Sequence, residues 1–163
     1  MNTGLGLFTF VVFTRTAYCL WPYSFHASCK IDWSFGLNCT HVNTEIVSQI
    51  KKWKGPDNCE QGGQKCLYEL IFSNETFIQA THTTPVKKYI DDMTFHLQVN
   101  QKTCSVQGNS ESRVWYAVLD YGTNYCNLHN IIEGAGLDKA PGYSEDTADK
   151  ICTQYTSANC EVY

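Results

Sequence analysis

The stretch Lys65-Cys66-Leu67-Tyr68-Glu69-Leu70-Ile71-Phe72, Ser73-Asn74-Glu75, Thr76-Phe77-Ile78-Gln79-Ala80-Thr81-His82-Thr83 sets two runs rich in β-branched and aromatic residues on either side of a short polar break. That pattern predicts a β-hairpin with Asn74 at its tip. Thr84-Pro85 interrupts the second run. Farther on, Met93, Phe95, Leu97 and Val99 alternate with Thr94, His96 and Gln98, the period of a half-buried strand. Cys104 to Gly108 returns from it. Arg113 to Asp120 predicts a further strand, with Val114, Tyr116 and Val118 on one face and Trp115, Ala117 and Leu119 on the other. Gly122-Thr123-Asn124 then turns the chain into Tyr125 to Ile132, read as another strand.

Helical signals flank this meander. Thr40 or Asn43 is placed to cap a helix running to about Trp53, with Gly55-Pro56 as its stop. Val42, Ile46, Ile50 and Trp53 form one apolar stripe, opposite Glu45, Gln49 and Lys52. Beyond the loop marked by Gly134-Ala135-Gly136 and Pro141-Gly142, Ser144 is read as capping a short helix with Glu145 and Asp146 in its first turn. At the other end, Leu20 to Cys39 reads as an aromatic, disulfide-pinned strap carrying Trp21, Tyr23, Phe25, Trp33 and Phe35. The expected fold class is α+β: an antiparallel β-meander of about six strands, curled or closed into a partial barrel, packed with an N-terminal helix and a short C-terminal helix.

The nine cysteines of the 163-residue chain point to an oxidising compartment. The apolar run Leu5 to Phe13 has the length of a signal-peptide core and falls short of a membrane span. Ala17-Tyr18-Cys19 supplies small residues for cleavage, so residues 1–19 are expected to be a signal peptide and 20–163 a single secreted, extracellular domain. Loss of Cys19 leaves an even set: Cys29, Cys39, Cys59, Cys66, Cys104, Cys126, Cys152 and Cys160. Cys59–Cys66, Cys29–Cys39 and Cys152–Cys160 are the locally easy pairings. Asn38-Cys39-Thr40 and Asn74-Glu75-Thr76 are glycosylation sequons that agree with export. Cys-x-x-Cys and His-x-His pairs are missing, so no metal and no cofactor are expected. A net charge of −4 without a Lys/Arg cluster disfavours nucleic acid as a partner. Lys51, Lys52, Lys54, Lys87 and Lys88 read as solvated.

Val118-Leu119-Asp120-Tyr121-Gly122-Thr123-Asn124-Tyr125-Cys126 resembles the Asp-Tyr-x-Asn-Tyr turn between two late strands of lipocalins, with one residue inserted. The Cys-led strand at Cys66, the hairpin at Asn74 and a cysteine-bearing C-terminal helix and tail are similar to arthropod salivary lipocalins. The Gly-x-Trp signature of the lipocalin first strand is missing, and six strands are fewer than an eight-stranded barrel needs. The resemblance implies a carrier of small, mostly apolar ligands. A helix followed by a meander is also the outline of cystatins. Cys104-Ser105-Val106-Gln107-Gly108 only partly matches their Gln-x-Val-x-Gly wedge, with Cys in place of Gln and too late in the strand order.

Catalysis has candidates but no motif. His26, His41, His82, His96 and His129 are possible bases, and Cys126 precedes His129 by three residues, yet parity spends Cys126 in a bridge. No Gly-x-Ser-x-Gly elbow exists. Asp91-Asp92 reads as a turn whose side chains point apart. Binding therefore outranks catalysis. Trp115, Tyr116, Tyr121 and Tyr125 are the expected ligand-binding residues for a small apolar or aromatic molecule in a pocket of the curled sheet, with Trp115 and Tyr116 on opposite faces. Trp53 and Trp115 are also candidates for the core. An extracellular protein bound through surface loops, such as Thr81 to Asp92, is the alternative partner.

Overall fold

A computed structural model describes residues 26–100 and 102–162. The run 5–13, the cleavage region at Cys19 and the aromatic residues Trp21, Tyr23 and Phe25 lie outside the described residues. The strands are β1 (Ser28–Phe35), β2 (Tyr68–Ser73), β3 (Phe77–Thr83), β4 (Ile90–Asn100), β5 (Thr103–Ser112) and β6 (Ser144–Asp146); the helices are α1 (Cys39–Lys52) and α2 (Thr123–Gly134). All strand pairs are antiparallel, in the order β2-β3-β4-β5-β1-β6, and the sheet does not close.

Period-two alternation gives the sheet one buried face. Ile31, Trp33 and Phe35 of β1, Met93, Phe95 and Leu97 of β4, and Val106 of β5 are buried with Val42, Ile46 and Ile50 of α1 and Leu128, Ile131 and Ile132 of α2 in one core. Each such side chain stabilises the fold by about 1.5–3 kcal/mol relative to exposure. Trp33 has room because Gly108, diagonally across on β5 and opposite Ile31, has no side chain: a Cβ there would lie 2.5 Å from the Trp33 ring.

The hairpin at Asn74, the strands around Met93–Val99 and Cys104–Gly108, and the apolar stripe of α1 fall where the sequence places them. Asn74 is exposed at the hairpin tip, its Oδ1 accepting the backbone N–H groups of Thr76 (3.0 Å) and Phe77 (2.9 Å). Asn38, not Thr40 or Asn43, caps α1, accepting from His41 N at 2.8 Å.

Four expectations are corrected. The segment Leu20–Cys39 is not only a strap: Ser28–Phe35 is a strand inside the sheet, between β5 and β6. Arg113–Asp120 is not a strand, because the pairing of β5 ends at Glu111 opposite Ser28 of β1 and at Ser112 opposite Asp91 of β4, and the chain beyond runs in turns. Tyr125–Ile132 belongs to α2. Asp120 opens that helix, its Oδ1 taking Gly122 N (3.1 Å) and its Oδ2 taking Asn124 N (3.0 Å), so the lipocalin-like motif starts a helix rather than joining two strands. Ser144 begins β6 and caps no helix; the C-terminal segment is mostly turns and a short 3-10 turn at Tyr155–Ser157.

The eight cysteines form four disulfides, Cys29–Cys152, Cys39–Cys104, Cys59–Cys66 and Cys126–Cys160. Only Cys59–Cys66 is one of the expected local pairs. Cys29–Cys39 and Cys152–Cys160 are wrong because strand register brings distant residues together. Phe35 sits opposite Cys104, so Cys39, at the start of the helix that follows Phe35, reaches Cys104. Cys29 and Cys152 face each other across an isolated bridge at the sheet edge.

Candidate functional site

Two loops meet at one end of the sheet. One connects β3 to β4 and carries Thr84, Pro85, Val86, Lys87 and Tyr89; the other runs from β5 to α2 and carries Ala117, Leu119, Asp120 and Tyr121. Between them lies a mainly apolar cleft of about 380 Å³, with the buried polar residues Asp91, Ser112 and Asn124 also in its lining.

The wall formed by the second loop has no core of its own and is held from both sides. Ala27 N donates to Ala117 O, and Ser112 N donates to Ala27 O at 3.2 Å. From the C-terminal segment, Gln154 Oε1 accepts Asp120 N (3.0 Å) and Tyr121 N (2.7 Å). Tyr121 has φ 56°, a left-handed conformation that costs a non-glycine residue about 1–2 kcal/mol, and the Gln154 contact holds it there. Gly122, at φ 79°, packs so closely on Ala158 that a Cβ would lie 2.5 Å from the alanine methyl.

Behind the cleft a polar network runs into the core. Asn127 Nδ2 donates to Asp91 Oδ2 (2.8 Å) and to Ser110 Oγ (3.3 Å); Ser110 Oγ donates to Asn124 Oδ1 (2.6 Å), and Asn124 Nδ2 donates to Asp120 Oδ2 (2.8 Å). Asp91 is 3% exposed. Burial raises its pKa, against the bonds from Asn127 and Ser112 and together with the negative charges of Asp120 and Asp92. Deeper in, Tyr68 donates to Asn127 O at 3.2 Å and is pushed up by desolvation. His82 lies against the Tyr68 ring, with Nε2 3.0 Å from Gln64 O. Burial lowers His82 to about 4, so its ring is neutral at neutral pH.

The four residues expected to line a ligand pocket are scattered. Tyr121 lines the cleft. Trp115 and Tyr116 are on the same loop but point to solvent, 79% and 65% exposed. They do not sit on opposite faces, since their rings meet edge-to-face at 5.6 Å; outside a strand there is no alternation to separate them. Trp115 is therefore not core, whereas Trp53 is. Tyr125 lies on α2 and belongs to a different cluster. Among the described residues the covered face of the meander is filled by core side chains, and an open trough of about 600 Å³ with mixed lining, Asp32, His96 and Gln107 beside Trp33, Leu97 and Val106, lies elsewhere on the sheet.

That second cluster centres on Glu145 of β6. Oε2 accepts from Trp33 Nε1 (2.9 Å) and Tyr143 OH (3.1 Å) and lies 3.2 Å from His129 Nδ1; Oε1 accepts from Tyr125 OH (2.8 Å). Burial pushes the carboxyl up, but the bonds from His129, Trp33 and Tyr125 and the His129 charge outweigh it and hold Glu145 down at about 2. Desolvation and the Glu145 charge raise both tyrosines. Neither His129 nor Glu145 lines the cleft or the trough. The arrangement ties β6 to β1 and α2. Of the other histidines, His26 pairs with Glu111 at 2.9 Å and His41 approaches Glu45 at 3.7 Å, while His96 is exposed. Cys126 is bridged to Cys160 and carries no free thiol. Asp91 and Asp92 do point apart, but from a strand and not a turn, Asp92 pairing with Arg113 at 2.6 Å.

A family model described as protein of unknown function (DUF1499) matches residues 35–134. The chain belongs to this family. The DUF1499 segment runs from the end of β1 to the end of α2 and contains every residue named in the cleft and in the network behind it. Most of β1, all of β6 and the C-terminal tail, with Glu145 and Gln154, lie outside it. The matched family is neither lipocalin nor cystatin, which leaves the sequence resemblance to those families without support. No curated protein matches the chain. Among the described residues no helix is long and apolar enough to cross a membrane, and no group of three or more His, Cys, Asp or Glu is placed to hold a metal ion.

Proposed function

We propose that this chain is a secreted, non-enzymatic binding protein whose ligand is a small, largely apolar or aromatic molecule seated in the cleft between the β3–β4 and β5–α2 loops. The observation that carries this reading is a mostly apolar cavity with a few convergent buried polar groups, one of them an aspartic acid of raised pKa. Its volume of about 380 Å³ lies near the lower end of the range typical of small-molecule sites, about 300–1,000 Å³. The apolar body rests against Pro85, Val86, Tyr89, Leu119 and Tyr121; the polar end meets Asp91, Ser112 and Asn124.

Secretion fits the same reading. Residues 1–19 are removed as a signal peptide, the domain begins at Leu20, and four disulfides match an oxidising compartment. Asn74 carries a glycan at the exposed hairpin tip, on the opposite end of β3 from the cleft loop Thr84–Tyr89. Asn38 is the poorer acceptor, since its side chain caps α1 next to the bridged Cys39.

The test is expression in secreting eukaryotic cells, with native mass spectrometry of the medium. A retained small molecule is expected on the wild type and is lost from Leu119→Arg. A ligand held equally by both proteins places the site elsewhere and overturns the cleft assignment. N-terminal sequencing should give Leu20, and Asn74→Gln should remove one N-glycan of mass.

A further inference from the structure

The cleft brings together two carboxylates, Asp91 and Asp120, that no ion pair among the described residues neutralises. Asp91 is buried, and its hydrogen bond from Asn127 comes from a neutral amide. Asp120 is likewise occupied by neutral donors, Gly122 N on Oδ1 and the two nitrogens of Asn124 on Oδ2. Among the described residues neither carboxylate has a salt bridge. The neighbouring cations are committed elsewhere: Arg113 forks onto Asp92 at 2.6 and 2.8 Å, on the other side of β4, and Lys65 pairs with Glu133 at 2.9 Å. Lys87 also lines the cleft, exposed and without an ion pair among the described residues, so one solvated cation stands against the two carboxylates. A buried carboxylate without a counter-charge is costly, and a ligand that brings one removes the cost.

The walls add a second constraint. Tyr89 and Tyr121 bring aromatic rings to the cleft, with Pro85 and Leu119 beside them, and rings of this kind attract an organic cation as well as an apolar body. An anion would meet two like charges. A neutral molecule would leave them unbalanced.

Resting on the cleft reading above, we propose that the ligand is a small organic amine, its ammonium directed to Asp91 and Asp120 and its apolar or aromatic body held between Tyr89 and Pro85 on one wall and Leu119 and Tyr121 on the other. Asp91 supplies the buried charge. Asp120 couples the site to the start of α2, because the same carboxylate holds Asn124.

Three probes of nearly equal shape separate the charge from the shape: 2-phenylethylamine, 2-phenylethanol and phenylacetate. Each is titrated into the 15N-labelled, disulfide-intact protein, with affinities from calorimetry and the site from amide shifts. The amine is expected to move the amides of Asp91, Ser112, Tyr121 and Asn124 and to bind at least about tenfold more tightly than the alcohol, with phenylacetate weakest. Asp91→Asn, which keeps an acceptor for Asn127, should bring the amine down to the alcohol's affinity and leave the alcohol unchanged; Asp92→Asn should change neither. If alcohol and amine bind the cleft equally, the amine inference is overturned and the cleft reading stands. If no probe moves the cleft amides, or the amine moves only those of the outer trough around Asp32 and His96, both fall. The wild-type series decides this even if Asp91→Asn fails to fold.

Discussion

Replacing Glu145 by Gln removes one negative charge at a point where four donors converge from β1, α2 and the turn before β6. The geometry limits what the amide can recover. Trp33 Nε1–H is a donor only, so the amide oxygen must stay on the Trp33 side, and the new NH2 then faces the Tyr125 hydroxyl, which is able to turn and accept. The principal loss is therefore the charge. A folded value of about 2, against roughly 4.3 for an unfolded glutamate, corresponds to about 3 kcal/mol at 1.36 kcal/mol per unit. The side chain keeps 13% exposure, and solvent screening reduces the figure to about 2 kcal/mol. Because the folded pKa is depressed, this stability is complete above the unfolded pKa and is lost as pH falls toward the folded one. Urea unfolding followed by tryptophan fluorescence, with disulfides intact, should show wild type about 2 kcal/mol more stable than Glu145→Gln near neutral pH, with m-values unchanged. The gap should narrow below about pH 4.5 and close near pH 2. A gap that persists unchanged at low pH, or none at neutral pH, would refute the charge as the source of the stabilisation.

Gly108→Ala should lower the urea midpoint by an amount equivalent to about 1–3 kcal/mol, because the added methyl would sit 2.5 Å from Trp33 Cζ3 and 3.4 Å from Leu128 Cδ2; wild-type stability would mean that Trp33 moves freely. The double change Cys126→Ser with Cys160→Ser opens a 34-residue separation, and chain entropy puts the loss at about 3–4 kcal/mol; limited proteolysis should then cut the released tail before the sheet. Gln154→Asn is too short to reach Asp120 N and Tyr121 N, yet Asn tolerates the left-handed backbone at that position (φ 55°). Hydrogen exchange should speed up at 120 and 121 and cleft affinity should fall, while protection of β4 and β5 stays as in wild type.

Strands β4 and β5 were legible because every second residue is buried in β5 and through most of β4, and the β2–β3 hairpin because two β-branched and aromatic runs flank the polar break at Ser73-Asn74-Glu75. Helix α1 was legible for the matching reason: Val42, Ile46 and Ile50 fall on one stripe and are all fully buried. Helix α2 was not, since Asn124, Asn127 and Asn130 are buried beside Leu128 and Ile131, so polar letters occupy the inward face and erase the helical period. The segment 113–120 misled in the opposite direction. Its unbroken apolar run from Val114 to Leu119 reads as a strand buried on both faces, but Trp115, Tyr116, Val118 and Leu119 are all exposed. Of the candidate site, Tyr121 was legible as an aromatic near a turn. Asp91 was not, because its burial depends on the register of β4 against β3 and β5. Glu145 read as a helix-start acid; its partners come from separate parts of the chain, and no local pattern announces such a meeting.

The division between matched and unmatched segments bears on how the cleft works. The floor, Asp91, Ser112 and Asn124, rests on β4, β5 and α2, all within residues 35–134 and all backed by the core. The wall formed by 113–121 has mostly exposed apolar side chains and a strained Tyr121, and its fixed shape depends on Ala27 at one end of the described chain and Gln154 and Ala158 at the other. Those two segments are themselves joined by Cys29–Cys152, and the tail is pinned to α2 by Cys126–Cys160. Two of the four disulfides therefore act on the cleft at a distance. They fix the elements that fix the loop, so the wall is already formed when a ligand arrives and less ordering entropy opposes binding. By the same logic, reducing these two bridges should weaken cleft binding before it unfolds the sheet, because the β4–β5 floor is held by strand pairing and core packing that neither bridge supplies.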